Sequence, residues 1–268
     1  MCISVVTRAL RTSELLPLTS FLSSEKNVEI IAVCVEKDSK LPGDVSLILE
    51  RAGRLRAKVT GVRASHCDRI LFLDADQFPE HGLFQELMTL GADMVVIPER
   101  SLTGGISGLL MDDWRKRMEK WAASQHHPSP TIPVVPRVFW RDQLLHAIER
   151  IPDPVIDGIV SHEDSVLYAA VAIFTSSLTF SRSVIFNADP SIIAMLRKAF
   201  NYGYYHENAR IMLEDVDGAR PYLELTNALN LASIKFHKIG LGPGYVLQAL
   251  RGLTYVLGIS IARFINYL

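Results

Sequence analysis

The sequence predicts an α/β fold, a mostly parallel central sheet flanked by helices that ends in amphipathic C-terminal helices. Three observations predict it. Over the first hundred residues, short β-branched runs alternate with stretches of helical spacing, the pattern of parallel strands joined by crossover helices. The run Ile70-Leu71-Phe72-Leu73 is apolar on both faces, as a central parallel strand requires. From Gly244 to Leu268 the pattern is helical to the end of the chain.

In chain order, Ile3 to Val6, Glu29 to Val35, Ile70 to Leu73 and Met94 to Ile97 read as strands. Ser13 to Ser24 and Leu47 to Lys58 carry apolar residues at helical spacing. A Gly-rich turn at Gly104 leads to an amphipathic helix around Met111 to Ala123, then a Pro-rich segment from Pro128 to Pro136. Strand pattern returns at Val134 to Trp140, and helical pattern follows Ser161 and runs again from Ile192 to Tyr205. Gly240-Leu241-Gly242-Pro243-Gly244 breaks the chain before its tail. The expected organisation is a body over residues 1–238 and an amphipathic, membrane-associating segment over 239–268.

Composition narrows the function. The 268 residues are 49% hydrophobic and 21% charged, which excludes a disordered chain. With 28 basic and 29 acidic side chains the net charge is −1, so nucleic acid is not an expected partner. Three cysteines, Cys2, Cys34 and Cys67, without CxxC spacing argue against a disulfide or zinc framework and suit a reducing compartment. Met1 leads straight into an apolar strand with no leader pattern, so a cytoplasmic location is expected. No acidic residue follows Glu224, whereas Lys235, Lys238, Arg251 and Arg263 do, giving a basic, apolar end.

That end does not read as a spanning helix. A span wants about 20 apolar residues, and only eleven separate Arg251 from Arg263. Gln248, Arg251, Tyr255, Gly258, Ala262 and Asn266 form a narrow polar or small stripe along it. A helix lying in a membrane interface fits best, with packing on the body as the other reading.

The chemistry concentrates at Ile70-Leu71-Phe72-Leu73-Asp74-Ala75-Asp76, a buried strand ending in two carboxylates. Residues i and i+2 of an extended chain share a side, and paired carboxylates at a parallel sheet's C-terminal edge suit Mg²⁺ or Mn²⁺ bridging a diphosphate. A solvated Asp-rich turn is the alternative. Ser161 followed by Asp164 is also a helix N-terminus signature. His126 and His127 read as solvated, Trp114 and Trp121 as packing residues on one helix face, and Lys116, Arg117 and Lys120 as an exposed face. Arg197 and Lys198 suit either a phosphate or solvent.

The block from Ala57 to Asp76 resembles that of family 2 glycosyltransferases, with Ala57, Lys58, Gly61, Ser65, Asp74 and Asp76 on the family's positions and Lys58 where Arg is usual. Ser4-Val5-Val6-Thr7-Arg8 and Glu29-Ile30-Ile31-Ala32-Val33 are similar to its first two strands, and Ser161 to Tyr168 to the motif that supplies its base. Pro136 to Arg141, Ile185-Phe186-Asn187, Leu196-Arg197-Lys198 and Tyr202-Gly203 resemble further blocks, the last three of microbial and archaeal members. Two positions depart: Cys34 stands where an acidic residue usually contacts the donor base, leaving Glu36 or Asp38 to do so, and Asn187 stands where His is frequent.

The resemblance implies a GT-A fold, a nucleotide-sugar donor, a divalent metal (Mn²⁺ or Mg²⁺) and inversion at the anomeric carbon. It implies Asp74 and Asp76 as metal ligands and Asp164, beside Glu163, as catalytic base. Thr7, Arg8, Glu36, Lys58, Asp74, Ala75 and Asp76 would bind the donor. The expected enzyme is a hexosyltransferase, peripheral on the inner face of the cell membrane, with a polyprenyl phosphate or lipid-linked glycan as acceptor. A nucleotidyltransferase on a related fold and a non-catalytic nucleotide-sugar-binding partner are the alternatives.

Overall fold

The structure, a computed structural model, describes the chain apart from residues 52, 103, 124–134, 162, 226–241 and 268. It begins β1 (Ile3–Arg11), α1 (Thr12–Leu22), β2 (Val28–Glu36), β3 (Val45–Leu49), α2 (Arg54–Ala64) and β4 (Arg69–Asp74). Then come β5 (Gln77–Pro79), α3 (Leu83–Thr89), β6 (Met94–Val96), β7 (Glu99–Ser101), α4 (Ile106–Ala123) and β8 (Val138–Trp140). After α5 (Arg141–Ile148), α6 (Asp153–Gly158) and α7 (Glu163–Ala172) follow β9 (Leu178–Phe180) and β10 (Ile185–Asn187). Three helices end the chain: α8 (Ile192–Leu213), α9 (Arg220–Leu225) and α10 (Pro243–Tyr267).

The main sheet has the order β3-β2-β1-β4-β8-β6-β9. β1 pairs in parallel with both β2 and β4, and β8 runs antiparallel between β4 and β6. The chain therefore leaves β1 toward β2 and β3 on one side, then returns to add β4 on the other. Such a reversal opens a crevice at the strands' C-terminal ends, between β1 and β4. A small second sheet, β5-β10-β7, lies beyond β4.

One apolar cluster joins Val6, Ile31 and Phe72 of the sheet to Val59 and Val62 of α2 and to Val166 and Leu167 of α7. A second joins Ile3, Val5 and Leu71 to Leu18, Leu22 and Leu83 on the opposite face. Gly61 lets α2 lie directly on β1, since a Cβ there would collide with Val6.

Two expectations need correction. Leu47 to Leu49, expected as the start of a helix over Leu47 to Lys58, belong to the edge strand β3, and the helix begins only at Arg54. A short apolar run fits either period, and the open edge of β2 supplies the hydrogen bonds that decide it. Cys2 and Cys67, expected as free thiols, form a disulfide, with Cα atoms 5.1 Å apart. Parallel pairing sets Ile3 opposite Arg69, so residues just before the two strands become neighbours though far apart in sequence. The cysteines no longer argue for a reducing compartment. Cys34 is free and buried, as expected, and burial pushes its thiol up to about 11.

The tail packs on the body. Small residues on both helices let it meet α8 closely: Gly203 of α8 abuts the Tyr255 carbonyl and Gly258 of α10 the Phe200 carbonyl, where a Cβ would collide. The expected polar stripe is the face turned inward. Arg263 bonds Glu207 of α8 at 2.9 Å, Asn266 bonds Asn208, and Arg251 donates to Gln248 while touching Met111 of α4. Leu250, Leu253, Leu257 and Phe264 stay exposed, Leu253 at 68%. Lys235, Lys238, His126, His127, Val134 and most of the Pro-rich segment lie outside the described residues.

Candidate active site

A cleft of about 720 Å³ opens where β1 and β4 end, and four distant sequence segments meet in it. β1 contributes Thr7 and Arg8, β4 and the turn after it Asp74, Ala75 and Asp76, α2 Lys58, and α7 Glu163 and Asp164. Strand register sets Arg8 beside Asp74. Lys58, buried on α2, joins the segments: its ammonium bonds the Asp164 carboxylate and lies 3.8 Å from Glu163. Thr7 is buried with a hydroxyl that has no hydrogen-bond partner.

Four further residues complete the cleft that sequence reading did not assign to it. Arg54, one helical turn before Lys58, bonds the Tyr202 hydroxyl at 2.8 Å and lies 3.8 Å from Glu163. Tyr202 and Lys198 reach in from α8, and Glu14 from α1. Lys198 is the cleft-lining member of the Arg197-Lys198 pair. Lys198 is open to a phosphate role on sequence, whereas Arg54, Tyr202 and Glu14 are brought to the cleft only by contact across the fold.

Glu36, Asp38 and Cys34 do not line the cleft. Glu36 is exposed at the end of β2, 3.5 Å from Arg11. The Asp38 carboxylate accepts from the Ser13 hydroxyl and amide and the Thr12 hydroxyl, capping α1 and holding its own pKa down to about 2. Cys34 packs with Ala9, Leu15 and Ala32. On that flank the carboxylate that lines the cleft is Glu14.

A polar chain holds the Asp74 turn from beneath. The Asp74 amide donates to Gln77, Gln77 donates to Asn187 at 2.8 Å, and Asn187 donates to Glu99 at 2.9 Å. Arg137 closes the circuit, giving two bonds to Glu99 and lying 3.9 Å from Asp74. Asn187 thus spends its side-chain amide on this network. Most of these buried polar groups satisfy one another, the Arg137 Nη1 atom being without a hydrogen-bond partner.

The electrostatics separate the carboxylates. Enclosure by the protein raises the Asp74 pKa, but Arg137, Lys58, Lys198 and Arg54 outweigh it and hold the group below its ordinary value. Asp76 is pushed up by burial and then by the charge of Asp74. Glu163 is pushed up mainly by burial, against the pull of Lys58. Burial lowers Lys58, yet Asp164, Glu163 and Asp74 more than compensate and keep it an ammonium.

Among the described residues, no group of three or more His, Cys, Asp and Glu side chains is placed to hold a metal ion. Asp74 and Asp76 nevertheless fit a magnesium-like ion, which takes oxygen ligands, keeps several waters and binds through one or two carboxylates plus substrate phosphates. Both side chains face the open cleft, and cations that could meet phosphates line it.

No protein-family model matches the sequence, and no curated protein matches it significantly. Solved structures do match in fold. The mannosyltransferase PcManGT from Pyrobaculum calidifontis, in complex with GDP-Man and Mn²⁺, is 17% identical with a TM-score of 0.56, over 97% of this chain and 86% of that one. S. aureus TarS 1-349 in complex with UDP-GlcNAc is 11% identical with a TM-score of 0.54, over 89% and 74%. The chain has the mixed α/β fold of GT-A glycosyltransferases, with a large, mostly parallel sheet flanked by helices and an apolar helix at its C-terminal end.

Proposed function

We propose that the protein is an inverting, metal-dependent family 2 glycosyltransferase that moves a hexosyl group from a nucleotide diphosphate to a lipid-linked acceptor. The observation that carries this reading is the meeting of Lys58, Asp74, Asp76, Glu163 and Asp164 in one cleft at the β1–β4 crevice. The bound nucleotide sugars named for the two similar structures support the donor class.

In this reading Asp74 and Asp76 would hold Mn²⁺ or Mg²⁺, which when bound would supply positive charge against a diphosphate. Thr7 and Arg8 flank the nucleotide, and Glu14 takes the base-side contact first expected of Glu36. Asp164 faces the cleft and accepts the proton of the attacking hydroxyl. Glu163 is buried and fixes Arg54 and Lys58, and Lys58 orients Asp164.

A membrane surface is the proposed setting. α10 is long and apolar enough to cross a bilayer by length and composition, but its inward face is tied to α8 and α4. That leaves a helix with one face sealed to the protein and the other apolar, which suits lying in the interface. Ile106 and Leu109 of α4 and Ile193 of α8, on the helices that carry α10, are also exposed. The inner, cytoplasmic face of the cell membrane remains the proposed side, and the Cys2–Cys67 disulfide is the observation against it.

Calorimetry with UDP- and GDP-sugars in the presence of Mn²⁺ tests the donor reading. At least one donor should bind, and Asp76→Ala should abolish metal-dependent binding at an unchanged melting temperature. Unchanged donor affinity in Asp76→Ala would refute the metal assignment.

A further inference from the structure

Asp164 faces two hollows. One is the cleft already described. The other is a cavity of about 210 Å³ walled by Ile97, Trp114, Met118, Glu99, Glu119 and Arg137, and Asp164 and Val135 line both. Resting on the glycosyltransferase reading, we propose that this second cavity is the acceptor site and that it takes an uncharged sugar ring, not a phosphate.

The walls divide by chemistry. Trp114 and Met118 lie one turn apart on α4 and, with Ile97, make an apolar side suited to the C–H face of a pyranose. Glu99, Glu119 and Asp164 supply acceptors for hydroxyl protons. The volume is below the ~300 Å³ at which pockets for drug-sized ligands begin, so the cavity admits one ring and leaves any lipid outside.

Charge decides against a phosphate. Two arginines line the cavity, and carboxylates engage both. Arg137 gives Nε and Nη2 to Glu99, and Arg115 gives both terminal nitrogens to Asp189 at 2.8 and 2.7 Å. An anionic acceptor would find no cation there that a carboxylate does not already hold, since Glu99, Glu119 and Asp164 are themselves paired with Arg137, Arg100 and Lys58. A neutral ring needs none. The Arg137 Nη1 atom is buried without a hydrogen-bond partner, 3.9 Å from the Asp74 carboxylate on the cleft side, and has donor capacity left for one neutral oxygen of the ring.

The step balances as a substitution. The acceptor hydroxyl oxygen forms a bond to the donor's anomeric carbon, the bond from that carbon to the diphosphate breaks, the nucleotide diphosphate leaves with the electron pair, and Asp164 takes the hydroxyl proton.

The test measures nucleotide diphosphate release from the bound donor with Mn²⁺, alone and with either methyl hexopyranosides or farnesyl phosphate. Wild-type protein should be stimulated by at least one glycoside and not by farnesyl phosphate. The ratio of stimulated to unstimulated release should fall about tenfold in Trp114→Ala. Met118→Trp, which fills the cavity, should lose the stimulation as well, and melting curves identify any variant that fails to fold. Stimulation by farnesyl phosphate alone, or a ratio unchanged in a folded Met118→Trp, would overturn the acceptor assignment and leave the donor reading standing. No release from any donor by wild type, with or without acceptor, would sink both.

Discussion

The cleft and the α8–α10 pair bury charge in opposite ways. In the cleft, Lys58 and Arg54 are shared among carboxylates that also face open space, so the site keeps charge directed at a ligand. Between α8 and α10, Glu207 is 1% exposed and takes bonds from both Arg210 and Arg263. There the charges serve only to join two helices, and the leftover surface is apolar. The difference teaches that a polar stripe on a helix does not identify its solvent side. A small, polar stripe can be the adhesive face while leucines face outward.

Four variants sharpen or break this contrast. The largest effect is expected at Asp164→Asn, which should cut transfer to a hydroxyl acceptor by about 10²–10⁴, the usual share of a general base. Donor affinity should hardly move. A mutant that loses folding together with transfer would reduce Asp164 to a helix-terminus residue.

Lys58→Met comes next. It strips a buried cation from Glu163, and removing one partner of a buried pair costs about 3 kcal/mol. Thermal unfolding should register that loss alongside reduced activity. A stability equal to wild type would mean that Lys58 serves the ligand alone.

On the tail, Leu253→Glu with Leu257→Glu should abolish co-sedimentation with lipid vesicles while stability changes by only about 0.5 kcal/mol, since both side chains are exposed. Salt should weaken wild-type association only partly, because Arg251 is turned to the body while Arg263, though paired with Glu207, is 63% exposed. Undiminished pelleting of the double variant would break the proposed membrane contact.

The smallest effect is in pH dependence, and its sign differs between the regions. Burial alone would raise the Glu207 pKa, but its bonds from Arg210 and Arg263 outweigh burial and lower it. Its contribution is therefore present above the ordinary value near 4.5 and fades as pH falls through the lowered folded value. Glu163, raised by burial, acts oppositely: the folded chain takes up its proton first, so acidification through that raised value favours the fold. Melting of wild type and Glu207→Gln from pH 7 to 3 should show their gap narrowing as pH falls. A gap that widened instead would contradict the ion pair.

Much of this was legible in the sequence because local pattern and burial agreed. Ile70–Leu73 can be little else than a central strand, and its closing Asp74-Ala75-Asp76 therefore had to emerge at a sheet edge. Ser13 to Ser24 matches α1 to within two residues, and Ile192 to Tyr205 lies within α8, which runs on to Leu213, because their periodicity matches the face they bury. The expectation that failed, a helix already at Leu47 to Leu49, concerns a short run whose state is decided by a neighbouring strand edge.

What only the tertiary structure decided is everything that depends on which segments become neighbours. Parallel register brought Cys2 to Cys67. The crossing of α2 with α7 joined Lys58 to Asp164, and α8 placed Lys198 and Tyr202 in the cleft. The packing of α10 turned its polar stripe inward. Periodicity records which face of an element is apolar, but a sequence carries no coordinate for the partner that covers it. The sequence by itself therefore determined the fold class and the strand-end carboxylates, whereas contact across the fold determined what those carboxylates face.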